Sequence, residues 1–332
     1  EYRRQRQMCI RDRFYSFFYL LGKCLDLYSF SFCGAVSVTS TSTLSLESKI
    51  DKRRGDEMTE TNKKIRVGIN GFGRIGRLAF RLAFESDDSR LEFVHVNEGV
   101  GSGESSAYLA NWDSVHGPWR GFNVEFDEKT ETMTVVKEKD GSKTTTVMTY
   151  SQKMSPGEVD WKSKGIDMVL ECSGEFLTRE KLQAYFDQGV KKVVVSAPVK
   201  DAKNPVLNIV YGVNHSEYDK NVDHIVTAAS CTTNCLAPVI QVILKKIGIV
   251  RGSITTIHNV TNTQTIVDAS NSKKTDLRRA RSGLVNLAPT STGSATAIAL
   301  IFPELKGKLD GLAVRVPLIN GSLTDIVLDL PR

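Results

Sequence analysis

The sequence contains no Cys-x-x-Cys pair. Its six cysteines (Cys9, Cys24, Cys33, Cys172, Cys231, Cys235) follow no repeating or metal-ligand spacing. With only five histidines beside them, neither a disulfide scaffold nor a zinc site is indicated; no metal and a reducing compartment are the expectations. No apolar run is long enough to cross a bilayer, because Lys23 and Asp26 break the aromatic-rich stretch from Phe14 to Phe32. A strong charge of one sign is lacking too. The formal net charge is +6, but residues 1–57 hold ten of the 44 basic and seven of the 38 acidic residues, which leaves the remainder at only +3. That argues against a nucleic-acid or other polyanionic partner. What is present, 40% apolar and 25% charged residues over 332 positions, is ordinary globular material sufficient for two domains.

Residues 1–60 differ from the rest. A basic start (Arg3, Arg4, Arg6, Arg11, Arg13), the aromatic stretch and a Ser/Thr-rich tract from Ser37 to Ser48 have the outline of a targeting peptide. The other reading is sequence from outside the mature protein, favoured by the lack of an initial Met and by Met58 just before the first regular element. Either way the segment is expected to be disordered and to stand outside the fold.

From Lys64 the pattern sharpens. Ile65 to Asn70 reads as a buried strand, Gly71-Phe72-Gly73-Arg74-Ile75-Gly76 follows directly, and Arg77 to Phe84 has helical spacing. In that strand–turn–helix setting the glycines let the backbone approach a pyrophosphate seated on the helix N-terminus. A second strand, Leu91 to Val96, ends in Asn97-Glu98; an acid there accepts ribose hydroxyls and repels a 2′-phosphate, so NAD rather than NADP is the expected cofactor. Strands at 166–171, 192–196 and 207–211 and a helix at 181–187 continue the alternation, which implies a parallel sheet covered on both faces. Residues 121–150, with a turn at Asp140-Gly141, read as an antiparallel excursion. After a domain boundary near Ser230, strands at 252–258, 312–316 and 322–330 belong to a second sheet.

At that boundary, the strand-like run 224–229 meets Ser230-Cys231-Thr232-Thr233-Asn234-Cys235 and a helix from Leu236 to Ile247. A cysteine on the first turn of a helix faces unpaired N–H groups and the positive end of the dipole, which favour thiolate over thiol. Cys231 is therefore a candidate nucleophile, the alternative being a small buried residue beside an N-cap. Cys235, one turn on, is assigned to packing. Of the five histidines, His258 ends the second sheet's first strand and is the one able to return to the start of the Cys231 helix as base and oxyanion donor. Downstream, Thr261, the Arg278-Arg279-Ala280-Arg281 run, the turn Pro289-Thr290-Ser291-Thr292-Gly293 and Arg315 suit a phosphorylated substrate; a solvated charged face is the other reading of the arginine run.

INGFGRIGR at 69–77, ASCTTNCLAP at 229–238, DLRRAR at 276–281, PTSTG at 289–293 and PELKGKLDGLAVRVP at 303–317 together resemble phosphorylating glyceraldehyde-3-phosphate dehydrogenase, without a break from about Lys64 to Leu330. The resemblance implies a Rossmann-type doubly wound α/β NAD-binding domain at 61–229. An α+β catalytic domain with a mainly antiparallel sheet would follow at 230–332, and the complete protein would be a cytoplasmic homotetramer, or plastid if residues 1–57 are a targeting peptide. It implies NAD-dependent oxidation of glyceraldehyde 3-phosphate through a thioester on Cys231, with His258 as base and inorganic phosphate releasing 1,3-bisphosphoglycerate, as in glycolysis. Thr261 and Arg315 would bind the substrate's C3 phosphate. Ser230, Thr232, Thr233, Arg279, Thr292 and Gly293 would surround the attacking phosphate, and Asn70, Gly71, Phe72, Gly73, Arg74, Ile75, Gly76, Glu98 and Ser196 would hold NAD. Departures from the family pattern at Glu98, at Glu171-Cys172-Ser173-Gly174 and in a loop from Asp268 to Asp276, about three residues longer than common, resemble a subgroup associated with arsenate resistance. There arsenate replaces phosphate and the product is 1-arseno-3-phosphoglycerate. Erythrose-4-phosphate oxidation, with water resolving the thioester, and an inactive nucleotide-binding fragment are the competing readings. The chain stops at Pro331-Arg332 directly after a strand, so it is expected to be truncated and inactive as written.

Overall fold

The computed structural model describes residues 64–86, 88, 90–199, 201, 203–270 and 276–331. The expectations for the N-terminal extension, and for the insertion in so far as it falls on residues 271–275, lie outside these.

The chain opens with β1 (Ile65–Asn70), α1 (Arg74–Ser86), β2 (Leu91–Asn97) and α2 (Gly103–Asn111), followed by a two-stranded ribbon of β3 (Trp112–Asp113) and β4 (Gly117–Pro118). The excursion is β5 (Phe122–Asp127), β6 (Thr132–Lys139) and β7 (Ser142–Ser151). Then come β8 (Met168–Glu171), α3 (Arg179–Asp187), β9 (Lys192–Val195), β10 (Leu207–Asn208) and β11 (Ile225–Thr227). All of these strands except the ribbon form one sheet in the order β10-β11-β9-β8-β1-β2-β7-β6-β5. The pairings from β10 to β7 are parallel, and β7-β6-β5 are antiparallel. Asp140 (φ 50°) and Gly141 (φ 77°) make the two-residue turn between β6 and β7, where both central residues must be left-handed.

Strand alternation explains the layers. In β8, Met168 and Leu170 join one core with Val67, Ile69, Phe80 and Val96, while Val169 joins the other with Trp161, Leu182, Tyr185 and Val193. A strand buried on both faces needs no polar positions, hence the uninterrupted apolar runs. Because β1 lies between β2 and β8, the chain reverses direction across the sheet there, and the crevice at the carboxyl ends of β1 and β8 is the topological switch point where such sheets bind ligands.

Beyond β11 the chain forms α4 (Cys231–Lys246), β12 (Arg251–Asn259), β13 (Ala288–Ser291), α5 (Ser294–Ile301), β14 (Leu309–Val316) and β15 (Ser322–Asp329). The second sheet has the order β13-β14-β12-β15. Its β13–β14 and β12–β15 pairs are antiparallel and its β12–β14 pair parallel. On its inner face Ile254 packs with Leu236, Ile240, Ile298 and Phe302 of the covering helices. The period of two places Thr256 and His258 on the same face as Ile254, toward α4.

Several boundaries differ from the sequence expectation, three of them for a visible physical reason. Helix α1 begins at Arg74, three residues early, with the Arg77 amide already bonded to the Gly73 carbonyl. Helix α4 begins at Cys231, because Ser230 caps it by accepting the Thr233 amide. Strand β10 covers only Leu207–Asn208 of the expected 207–211, since the Asn214 side chain takes the Val210 amide and the Asn208 carbonyl and turns the backbone away.

Glycine is required at two places in the turn after β1. Gly71 has φ +90° with the Ser173 backbone against it, and a Cβ on Gly76 would strike the Gly71 carbonyl oxygen. Gly73, by contrast, has nothing within 4 Å of where a Cβ would stand. Gly76→Ala is therefore expected to cost about 1–3 kcal/mol of stability, read from the urea midpoint. Gly73→Ala should leave that midpoint in place and weaken NAD binding. Equal midpoints for the two variants would contradict the packing.

Candidate active site

Two sheets bring their carboxyl ends to the chemistry. In the first, the turn Gly71 to Gly76 delivers the chain into α1, whose first-turn amides have no intrahelical acceptor. Glu98, one residue past β2, is half-buried and accepts from the Phe72 amide at 2.5 Å and the Val100 amide at 3.0 Å. Two of its four lone-pair sites are thus engaged, leaving two for hydroxyl donors. The open space at Gly73 beside these amides, with an acid at the tip of β2, is a cradle that fits a dinucleotide: pyrophosphate over the helix end and ribose toward Glu98. Asn70 is buried beneath the turn, and the Ser196 amide bonds the Glu171 carbonyl at the end of β8.

Cys231 is the first residue of α4 and is half-buried. Its Sγ lies 3.2 Å from His258 Nε2. The other ring nitrogen, Nδ1, is 2.8 Å from the Asn259 carbonyl oxygen and 2.6 Å from Arg315 Nη1, which is itself 3.1 Å from that carbonyl. This cluster follows from register: His258 pairs with Arg315 across β12 and β14, so the two side chains leave the sheet side by side. Burial lowers the Arg315 pKa, the nearby Arg279 cation lowers it further and the Cys231 sulfur opposes both. Two guanidinium groups held close enough to repel each other beside a thiol form a site prepared for an anion.

The remaining expected residues fall into two groups. Ser230 Oγ and Thr233 Oγ1 are 2.7 Å apart at the start of α4, and Thr232 is buried next to them. Arg279, buried on the short turn Leu277–Ala280, donates to Thr263 Oγ1 at 2.7 Å. Thr263 in turn is 2.9 Å from Thr261 Oγ1, so the two anion-binding candidates are joined through a threonine that sequence reasoning passed over. Thr292 and Gly293 immediately precede α5, with the Thr292 hydroxyl bonded to Ser294. Thr263 stands two residues from Thr261 in a Thr-x-Thr-x-Thr run, and that spacing was the available signal. The Asn259 carbonyl left none, since any residue carries one.

One expectation is corrected. Cys235 is exposed, not packed. The buried stripe of α4 runs through Thr232, Thr233, Leu236, Ala237 and Ile240, and Cys235 shares the outward face with Val239 and Val242. Cys172 is buried against Gly76, and burial pushes its thiol well up. The three described cysteines therefore occupy three different environments.

Comparison with known proteins gives a single family. The model for the glyceraldehyde 3-phosphate dehydrogenase NAD binding domain matches residues 65–179, and that for the C-terminal domain matches residues 230–332. Glyceraldehyde-3-phosphate dehydrogenase 3 of Nostoc sp. (strain PCC 7120) is 54% identical over 81% of this chain and 74% of its own length. The glyceraldehyde-3-phosphate dehydrogenase of Zymomonas mobilis is 47% identical over 79% of this chain and 72% of its own. The cytosolic enzyme of Magnolia liliiflora is 43% identical over 81% of this chain and 74% of its own.

Proposed function

The chain belongs to the glyceraldehyde-3-phosphate dehydrogenase family, and on that premise we propose that Cys231 and His258 carry the oxidation, in a catalytic domain of residues 230–332 that follows an NAD-binding domain of residues 61–229. The activity is NAD-dependent oxidation of glyceraldehyde 3-phosphate, with phosphate as second substrate. The observation that carries the assignment of roles is the 3.2 Å approach of Sγ to Nε2 at the first residue of α4.

In this reading Cys231 Sγ adds to the aldehyde carbon and His258 Nε2 takes up the thiol proton. The oxyanion that forms lies against the α4 N-terminus, and proton return from Nε2 gives the hemithioacetal. NAD, when bound in the crevice at Gly71 to Gly76, Glu98 and Ser196, supplies the hydride acceptor. His258 then removes the hemithioacetal hydroxyl proton as the C–H bond breaks, which leaves a thioester on Cys231. Phosphate held by Arg279, Ser230, Thr232, Thr233, Thr292 and Gly293 displaces the sulfur, and Thr261 with Arg315 keeps the C3 phosphate in register. Thioester capture conserves the free energy of oxidation in the acyl phosphate, so an anion site beside the thiol is required by the chemistry.

We also propose that the chain assembles as a homotetramer. Ile257, Leu312, Leu323 and Val327 are exposed on the outer face of the second sheet, an apolar surface suited to association between copies. The Magnolia relative's cytosolic designation supports a cytoplasmic location. Among the described residues no helix is long and apolar enough to cross a membrane.

Competitive iodoacetate labelling separates chemistry from access. Exposure alone ranks Cys235 first, Cys231 second and Cys172 last. A thiol paired with His258 reverses the first two, and Cys231 is expected to react at least tenfold faster than Cys235. Labelling that follows exposure would remove Cys231 as nucleophile.

A further inference from the structure

Beneath the dinucleotide turn lies a buried carboxylate that the reaction does not use. Glu171, the last residue of β8, is fully buried (0% exposed) and receives four hydrogen bonds. Asn70 Nδ2 at 2.7 Å and the Tyr185 hydroxyl at 2.5 Å donate to Oε2; the Ser173 amide at 2.7 Å and the Ser173 hydroxyl at 2.5 Å donate to Oε1. Burial holds the Glu171 pKa above the usual carboxylate range, and the donors only partly offset it.

The four donors are not equivalent. Asn70 immediately precedes Gly71, and the Ser173 backbone is what a Cβ on Gly71 would strike. The Cys172 amide bonds the Asn70 carbonyl at 2.7 Å, and Gly76 packs on Gly71 and on Cys172. Glu171 thus grips both sides of the contact that sets the height of the glycine turn above the sheet. Tyr185, from α3, donates to the same Oε2 as Asn70.

Behind Asn70 the network continues in one donor direction. Asn97 Nδ2 donates to Asn70 Oδ1, Ser151 Oγ donates to Asn97 Oδ1, and His95 Nε2 lies 2.9 Å from Ser151 Oγ. Burial pushes the His95 imidazole down to about 3, so the ring is neutral and its one N–H serves either Ser151 Oγ or Thr149 Oγ1, which lies 2.7 Å from Nδ1. The Asn97 carbonyl accepts the Gly71 amide, which ties the far end of this chain to the same turn.

We infer that Glu171 is a positioning residue for NAD: it fixes the turn Gly71 to Gly73 through Asn70 and Ser173, so that the turn is formed before the dinucleotide arrives. This rests on the assignment of that turn as the NAD site.

Glu171→Gln tests it. A glutamine presents one oxygen and one NH2, and whichever way it sits the NH2 opposes a donor that cannot reverse: the Ser173 amide, or Asn70 Nδ2, whose orientation Asn97 fixes. The loss of a hydrogen bond at a fully buried group predicts about a tenfold higher dissociation constant for NAD by fluorescence titration. Amide hydrogen exchange at Gly71–Gly73 in the ligand-free protein should quicken, and KM for NAD should rise with kcat within about twofold. Tyr185→Phe, which leaves the Asn70 and Ser173 donors on the intact carboxylate, should raise the NAD dissociation constant less than Glu171→Gln does.

Equal loss of NAD affinity in both variants, in step with their melting temperatures, would overturn the proposal in favour of general stability. If Glu171→Gln does not fold, Ser173→Ala deletes a single donor at the half-buried edge and should weaken NAD about threefold; unchanged affinity there also overturns it. A wild-type protein that binds no NAD would overturn the site assignment itself, a result distinct from wild-type binding that Glu171→Gln leaves intact.

Discussion

Cys231→Ser is expected to lower kcat by about 10⁴-fold or more while leaving the NAD dissociation constant within twofold of wild type. The expected size comes from chemistry more than from geometry, since a hydroxyl fits where the half-buried thiol sits. A serine oxygen at neutral pH is almost wholly protonated, and His258 at 3.2 Å from the sulfur would have to remove a far less acidic proton. Even if addition occurred, the product of hydride loss would be an oxygen ester, a poorer acyl donor to phosphate than a thioester. The check is a stopped-flow measurement of NADH at enzyme concentrations that would show a single turnover. Retention of a first-turnover burst in Cys231→Ser would mean that another group captures the aldehyde. Cys235 is the nearest thiol in sequence, and it lies on the outward face of α4, off the buried stripe that Cys231 begins beside.

Much of this site is legible in the sequence because its parts are local. The turn 71–76 carries its mechanism in its spacing, and the structure leaves Gly73 open and Gly71 and Gly76 crowded, as a backbone-approach site requires. His258 could be chosen among five histidines because strand alternation fixes its face: two residues from Thr256 and four from Ile254, both buried. What was not legible depends on segments far apart in the chain or on helix phase. Glu171, Asn97, Ser151 and His95 come from three strands, and none was singled out for its side chain as part of a site. Cys235 was misassigned because α4 is apolar on most of its circumference. Val239 and Val242 are as hydrophobic as Leu236 and Ile240, so periodicity does not reveal which side is buried. The start of α4 at Cys231 was likewise hidden, since the polar Thr232, Thr233 and Asn234 weaken the helical pattern that Ser230 nonetheless caps.

His258→Asn is expected to lower kcat by about 10²–10³-fold, less than the loss of the nucleophile, and to slow alkylation of Cys231 in parallel. The tautomer argument sets this expectation. Nδ1 has two neighbours of opposite kind, the Asn259 carbonyl at 2.8 Å, which only accepts, and Arg315 Nη1 at 2.6 Å, which only donates, so the ring proton sits on Nδ1 when the carbonyl holds it and on Nε2 when Arg315 donates to Nδ1. With Nδ1 protonated, Nε2 is the bare nitrogen and faces Sγ as a base. Asparagine retains a donor for the oxyanion but takes up no proton, which is why a residual rate should survive. The measurement is the single-turnover rate of NADH formation alongside the iodoacetate rate at Cys231, each in wild type and variant. A variant in which NADH formation slows while alkylation stays at the wild-type rate would confine His258 to the hydride step and remove it as the base that activates the thiol.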